Sequence, residues 1–158
     1  MADQQEQKVP YSRLSDEVKI NKNWAKTLGL YHRREYSTVV MRCCTCLELA
    51  TNFAIRKEFE EYGLPVTVVN QLLRNSNGIS HKYHKLYLPL IEKWDHFEEH
   101  KKLWKNISKI NSERNKIVHG GEFKNKTTAG NAIKGTYNIL GELLEYCEPQ
   151  VELREPSI

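Results

Sequence analysis

An arginine and a histidine lie five residues apart near the end of a helical pattern, in the run Arg114-Asn115-Lys116-Ile117-Val118-His119-Gly120-Gly121. A guanidinium fork matches the oxygens of a phosphate, and an imidazole exchanges protons near neutral pH. Arg114 continues in phase an inward stripe in which apolar side chains are expected, formed by Phe97, Leu103, Ile107 and Ile110. We interpret this inward cation as part of a cleft between two protomers, where Arg114 and His119 act on a phosphodiester.

The order R-N-x-x-x-H at a helix end, followed by two glycines, resembles the signature of the HEPN superfamily of helical-bundle domains. The resemblance covers roughly residues 34–147. Many catalytic members are metal-independent endoribonucleases that dimerise so that two copies of the motif face each other. The resemblance therefore implies a homodimeric endoribonuclease that acts on RNA without a cofactor. It also implies a toxin or defence role, with an antitoxin or regulatory protein as a further partner.

The resemblance carries roles to individual residues. Arg114 and His119 match the two defining positions, and Asn115 matches the polar residue that often follows the arginine. In attack of an RNA 2′-hydroxyl on its neighbouring phosphate, His119 would transfer protons and Arg114 would stabilise the charged phosphorane. Asn115 would orient the phosphate or the imidazole ring, and the products would be a cyclic phosphate and a 5′-hydroxyl. Glu48 resembles an acidic residue that holds the arginine in other branches, but it could equally be an exposed carboxylate.

Helix geometry separates the two motif residues, because five residues rotate by about 500° and leave their side chains about 140° apart. We therefore expect the helix to loosen before His119, with Gly120 and Gly121 permitting the change. A second protomer that supplies the opposing arginine or histidine would also relieve the problem. Gly121 occupies the position where a nucleotide-transferring branch of the superfamily has a tyrosine, which argues against that branch.

Basic residues concentrate in two stretches, 81–85 and 101–116, with aromatic residues nearby, and the net charge of the chain is +4. This pattern favours an anionic partner, although a solvated helix face has the same appearance. The candidate RNA-binding residues are Lys116, Lys109, Lys105, His81, Lys82 and Lys85.

A zinc site is the competing chemical interpretation. Cys43 and Cys46 are spaced C-x-x-C, and His81 and His84 are spaced H-x-x-H. Both pairs fall within helical patterns, where buried cysteine is common, so we expect reduced thiols and no bound metal. The sequence contains no phosphate-loop, dinucleotide-binding or zinc-protease motif.

The elements that position these residues are predicted to be helical throughout. Apolar periodicity predicts helices at about 15–29, 34–62, 66–74, 79–94 and 97–118, with Pro89 breaking the fourth near Leu88. A last helix is capped by Thr127 or Thr128 and runs toward Pro149. We expect an all-α, HEPN-like bundle of about four main helices plus short ones, forming a single domain over 14–149. A flexible arm, 1–13, precedes it and a tail, 150–158, follows.

The expected location is the cytoplasm, because the polar N-terminus lacks a signal peptide and no segment approaches the ~20 apolar residues that span a bilayer. Two other functional classes stay open beside the enzyme. One is a noncatalytic HEPN module that binds nucleic acid or a protein partner, and the other is a plain helical interaction scaffold. In such roles Arg114 would pair with Glu48 or with Glu113 of the partner subunit, and His119 would stabilise a helix C-terminus.

Overall fold

Helices form the regular structure of this computed structural model, which describes residues 8–158. No β-strand occurs within that range, so the predicted all-α class and the single compact domain are confirmed. The first seven residues of the predicted arm lie outside the described residues. In chain order the elements are a 3-10 turn at Tyr11–Arg13, α1 Asp16–His32, α2 Tyr36–Glu61, α3 Val66–Asn75, α4 Gly78–His81, a π-helical turn at Lys82–Tyr87, α5 Leu88–Ile91, α6 Phe97–Gly120 and α7 Lys126–Leu144.

Helix α2 is the centre of the bundle and packs against α1, α6 and α7. It can do so because its apolar residues occupy more than one face, and the buried set includes Val39, Val40, Cys43, Cys46, Leu47, Ala50, Phe53 and Ala54. Burying each large apolar side chain contributes about 1.5–3 kcal/mol. By length and mean hydropathy, α2 is also long and apolar enough to cross a membrane, contrary to the expectation from the sequence. In the bundle, 56% of its most apolar segment is buried against other helices.

Helix α6 carries the predicted apolar stripe. Leu103, Ile107 and Ile110 are buried, and Arg114 follows them as a half-buried residue in phase. The helix continues through His119 and ends at Gly120, with Gly121 in the left-handed conformation at φ 65°. The backbone N–H of Gly121 donates to the Ile117 carbonyl at 3.1 Å, as expected for a glycine that closes a helix. The expected loosening before His119 is therefore wrong, because the left-handed residue comes two positions after the histidine.

The segment from Gly78 to Ile91 differs from the single kinked helix that was predicted. Proline has no N–H and its ring clashes with the carbonyl four residues earlier. The chain forms the wider π-helical turn immediately before Leu88 and Pro89, and helix α5 ends at Ile91, short of Trp94. The turn directs Tyr83, Tyr87 and the side chain of Lys82 into the protein.

Helix α7 begins one residue after its cap. Asn125 is the cap, and its Oδ1 accepts a hydrogen bond from the Thr128 backbone at 2.9 Å, so the predicted threonine cap is wrong. After the helix, Val151 and Leu153 pack against the core, and Trp24 Nε1 donates to the Arg154 carbonyl at 2.7 Å. The predicted tail thus covers part of α1.

Candidate functional site: an arginine-lined cleft

A cleft of about 300 Å³ lies between α2, α4 and α6. Helix α6 contributes Arg114 to it because that residue continues the stripe that faces α2. Gly78 and Ile79, at the start of α4, line another part of it. Its polar lining consists of Thr38, Arg42, Thr45, Glu48, Asn111 and Arg114.

Arg114 is half-buried in this cleft. Its Nη1 donates to Asn115 Oδ1 at 3.0 Å. Among residues 8–158, no carboxylate lies within ion-pair distance of its guanidinium. Five N–H groups of a guanidinium can donate, so most donors of Arg114 are left for a ligand or water.

Arg42 is a second cleft arginine, which the sequence interpretation missed. Its Nη1 donates to Asn23 Oδ1 at 2.9 Å, and the Asn23 amide in turn donates to the Tyr11 hydroxyl at 2.8 Å. Within the described part of the chain, Arg42 likewise forms no ion pair. A sequence signal existed, because α2 has polar side chains every three or four residues on one face, namely Thr38, Arg42, Thr45 and Glu48.

Glu48 lines the same cleft but pairs with a different residue from the one proposed. Its Oε1 lies 2.7 Å from Lys82 Nζ, and the side chain of Lys82 is 9% exposed whereas that of Glu48 is 45% exposed. The suggestion that Glu48 holds the Arg114 fork is therefore corrected. Lys82, expected among the exposed RNA contacts, is instead enclosed at the start of the π-helical turn and belongs to this ion pair with α2.

His119 is exposed at the end of α6 and does not line the cleft. Because α6 is helical through Gly120, Arg114 and His119 diverge by about 140° around the axis, and Asn115 shares the His119 face. Within one chain, Arg114 and Glu48 therefore line the cleft and Asn115 accepts a hydrogen bond from Arg114, whereas His119 does not line the cleft. Gly120 continues the helix and Gly121 closes it.

The loop after His119 is held by contacts of Lys124. Lys124 Nζ lies 2.7 Å from both Glu113 Oε2 and Glu122 Oε2, and its backbone N–H donates to Ser37 Oγ at 2.9 Å. Hydrogen bonds from Lys116 and Lys124 lower the pKa of Glu113. These contacts fix the loop and leave Phe123 95% exposed beside the helix end.

The remaining basic candidates are surface residues. Lys116 is exposed and its Nζ donates to Glu113 at 2.8 Å. Lys85, Lys105, Lys109 and His81 are exposed as well. They can therefore reach an external anion, whereas Lys82 is enclosed.

The four cysteines are free thiols, and burial raises the pKa of each. Burial raises the pKa of Cys44 to about 12, although Arg114 nearby acts in the opposite direction, and Cys44 Sγ donates to the Ile110 carbonyl at 3.6 Å. Burial also raises the pKa of Cys46 to about 11. Within residues 8–158, no group of three or more His, Cys, Asp or Glu side chains is placed to hold a metal ion.

Comparison of the chain with protein-family models, with curated proteins and with solved structures finds no match. The architecture that the structure defines is a single, all-helical domain with an arginine-lined cleft. The resemblance to the HEPN superfamily rests on the R-N-x-x-x-H motif and the order of the helices alone.

Proposed function

We propose that this protein is a homodimeric, metal-independent endoribonuclease of the HEPN type, in which the arginine-lined cleft of one protomer works with His119 of the partner subunit. The observation that carries the proposal is the half-buried Arg114, which faces a cleft and has no acidic partner among the described residues. A partly desolvated cation without a counterion is less stable than a solvated one, and an anionic ligand would offset that cost.

The proposed reaction needs two functions from side chains. A phosphodiester bound at Arg114 would be attacked by its own 2′-hydroxyl, forming the bond from the 2′ oxygen to phosphorus and breaking the bond to the 5′ oxygen. The imidazole takes the proton from the 2′-hydroxyl and returns one to the departing 5′ oxygen. General acid–base catalysis of this kind contributes roughly 10² to 10⁴ in rate, while the guanidinium stabilises the charge on the phosphorane.

The geometry of α6 supports the proposed dimer. Since Arg114 and His119 diverge on a continuous helix, a complete site requires a histidine from another chain. Two apolar side chains near His119, Val118 and Phe123, are exposed at the same end of α6. A twofold contact there would cover these side chains and present each His119 to the opposite cleft.

An RNA cleavage assay with and without EDTA tests the proposal. Wild-type protein is expected to cut in EDTA and to leave cyclic phosphate ends, which mass spectrometry of the products detects. Arg114→Ala and His119→Ala should each lose cleavage while retaining wild-type melting. The matched controls are Arg74→Ala and His32→Ala, which remove exposed residues outside the cleft. Wild-type cleavage by His119→Ala, or activity lost in EDTA and restored by zinc, would overturn the proposal.

A noncatalytic nucleic-acid module is the second candidate, favoured by the row of exposed lysines on α6, Lys101, Lys102, Lys105 and Lys109. These can hold phosphates without any proton transfer. RNA binding without cleavage by the wild-type protein would select this function.

A further inference from the structure

We propose that Arg42 and Arg114 form a two-arginine subsite that binds a phosphate group of single-stranded RNA. The inference deepens the proposed function, because it assigns the substrate-binding part of the same site and adds a residue outside the R-N-x-x-x-H motif. Its basis is that two arginines from different helices line one cleft and that neither forms an ion pair within the described residues.

The charge of the cleft favours an anion. Glu48 is the acidic residue in the lining, and its carboxylate is already paired with Lys82. Arg42 and Arg114 therefore remain as surplus positive charges. Like charges that share a cleft repel one another, and a bound phosphate removes that repulsion by accepting hydrogen bonds from both forks.

Arg42 is held in place before any ligand arrives. One of its five donors is bound to Asn23, whose own amide is bound to the Tyr11 hydroxyl and, at 2.8 Å, to the Lys19 carbonyl. Asn23 is itself buried. A guanidinium restrained in this way loses less conformational freedom on binding than a free surface arginine, so it contributes more to affinity.

The size and polarity of the cleft suit one nucleotide unit. Its volume of about 300 Å³ is at the lower end for ligand pockets, which accommodates a phosphate with part of its sugar but not a duplex. Thr38, Thr45 and Asn111 supply neutral hydrogen-bonding groups around the two arginines. A flexible single strand can present one phosphate to such a recess, whereas the backbone of a duplex is held rigidly along its helix.

Binding of a short 2′-O-methyl RNA tests the subsite separately from catalysis, because this RNA lacks the attacking hydroxyl. Fluorescence anisotropy would compare wild-type protein with Arg42→Gln and with the matched control Arg74→Gln. We expect Arg42→Gln to weaken binding about tenfold. It should also reduce the slope of log affinity against log salt by about 0.7, the contribution of one phosphate contact on a single strand. Arg74→Gln should change neither quantity.

A conservative variant keeps the test decisive if Arg42→Gln folds poorly. Arg42→Lys retains the charge but not the fork, so it should keep the wild-type salt slope and lose several-fold affinity. Inorganic phosphate should compete with the RNA for the wild-type protein. Unchanged affinity and salt slope in both Arg42 variants would overturn the subsite, and so would binding of inorganic phosphate without any binding of RNA.

The two proposals fail in different ways. If Arg42→Gln loses RNA affinity but wild-type protein never cleaves RNA, the subsite stands and the ribonuclease proposal fails. If wild-type protein cleaves RNA and Arg42→Gln both binds and cleaves normally, the subsite alone is wrong.

Discussion

Lys82 and Glu48 form an ion pair, with 2.7 Å between Nζ and Oε1, that ties the π-helical turn to α2 at the cleft. The pair engages the carboxylate of Glu48, which lines the same cleft as Arg114. It stabilises an enclosed lysine, and within residues 8–158 the two cleft arginines have no acidic partner.

Replacing Glu48 with glutamine should destabilise the protein. The change leaves the Lys82 ammonium enclosed without its counterion, and we expect a loss of about 1–3 kcal/mol, less than for a fully buried pair because Glu48 is half-exposed. Chemical denaturation measures the loss. The control Glu61→Gln changes an exposed carboxylate at the end of α2 and should stay within about 0.5 kcal/mol of wild type. Full stability of Glu48→Gln would show that the pair is not structurally important.

Mixing two inactive variants should restore ribonuclease activity if the proposed site is shared between subunits. Each proposed site takes Arg114 from one subunit and His119 from the other. A heterodimer of Arg114→Ala and His119→Ala would therefore contain one site with both substitutions and one site with neither. After subunits exchange in an equal mixture, about half of the dimers are mixed, so activity should reach roughly a quarter of wild type. RNA cleavage before and after exchange measures this. A mixture as inactive as its components would argue that Arg114 and His119 act within one chain.

Local patterns explain what the sequence could predict. The spacing of Leu103, Ile107 and Ile110 placed Arg114 correctly at the edge of the core, because helical periodicity depends only on neighbouring residues. The double glycine predicted the end of α6 for the same reason. The two glycines alone do not show which of them takes the left-handed conformation. In the structure it is Gly121, so the helix continues through His119.

Contacts between residues far apart in the chain explain what the sequence could not predict. Arg42 on α2 lies 72 positions before Arg114 on α6, both line the same cleft, and nothing in the motif points to Arg42. The partner of Glu48 was also beyond local patterns, because Lys82 reaches it from a turn that lies 34 positions further along the chain. The exposed RNA contact expected at Lys82 is therefore an incorrect prediction, because its side chain is 9% exposed and paired with Glu48.

Removing the exposed aromatic near His119 should weaken the proposed dimer. Phe123 is 95% exposed although the neighbouring Lys124 is fixed by two carboxylates. A large apolar side chain on a restrained loop is suited to be an interface anchor, and its truncation should raise the dimer dissociation constant about tenfold or more. Sedimentation or light scattering over a concentration series measures the change. Tyr62→Ala, which truncates an exposed aromatic at the end of α2, is the control and should leave association unchanged.

His100 should make folding stability sensitive to acid. It is 2% exposed, and its Nδ1 lies 2.6 Å from the Tyr87 hydroxyl. Burial lowers the pKa of His100 to about 4, and the neighbouring His96 ring acts in the same direction. An unfolded histidine titrates near ~6.5, so between about pH 6.5 and 4 the unfolded state binds more protons and stability falls as the pH falls. The full loss is on the order of 3 kcal/mol, because each pKa unit corresponds to about 1.4 kcal/mol.

The variant His100→Gln tests this origin of the acid sensitivity. Glutamine keeps a neutral hydrogen-bonding group beside Tyr87 but cannot take up a proton in this range. We expect lower stability than wild type at about pH 7, from imperfect packing, but a flatter decline toward about pH 4.5. Urea unfolding at several pH values measures both quantities. His32→Gln, an exposed position at the end of α1, should reproduce the wild-type decline. If His100→Gln loses stability as steeply as wild type, the decline belongs to other groups, and the buried histidine does not control it.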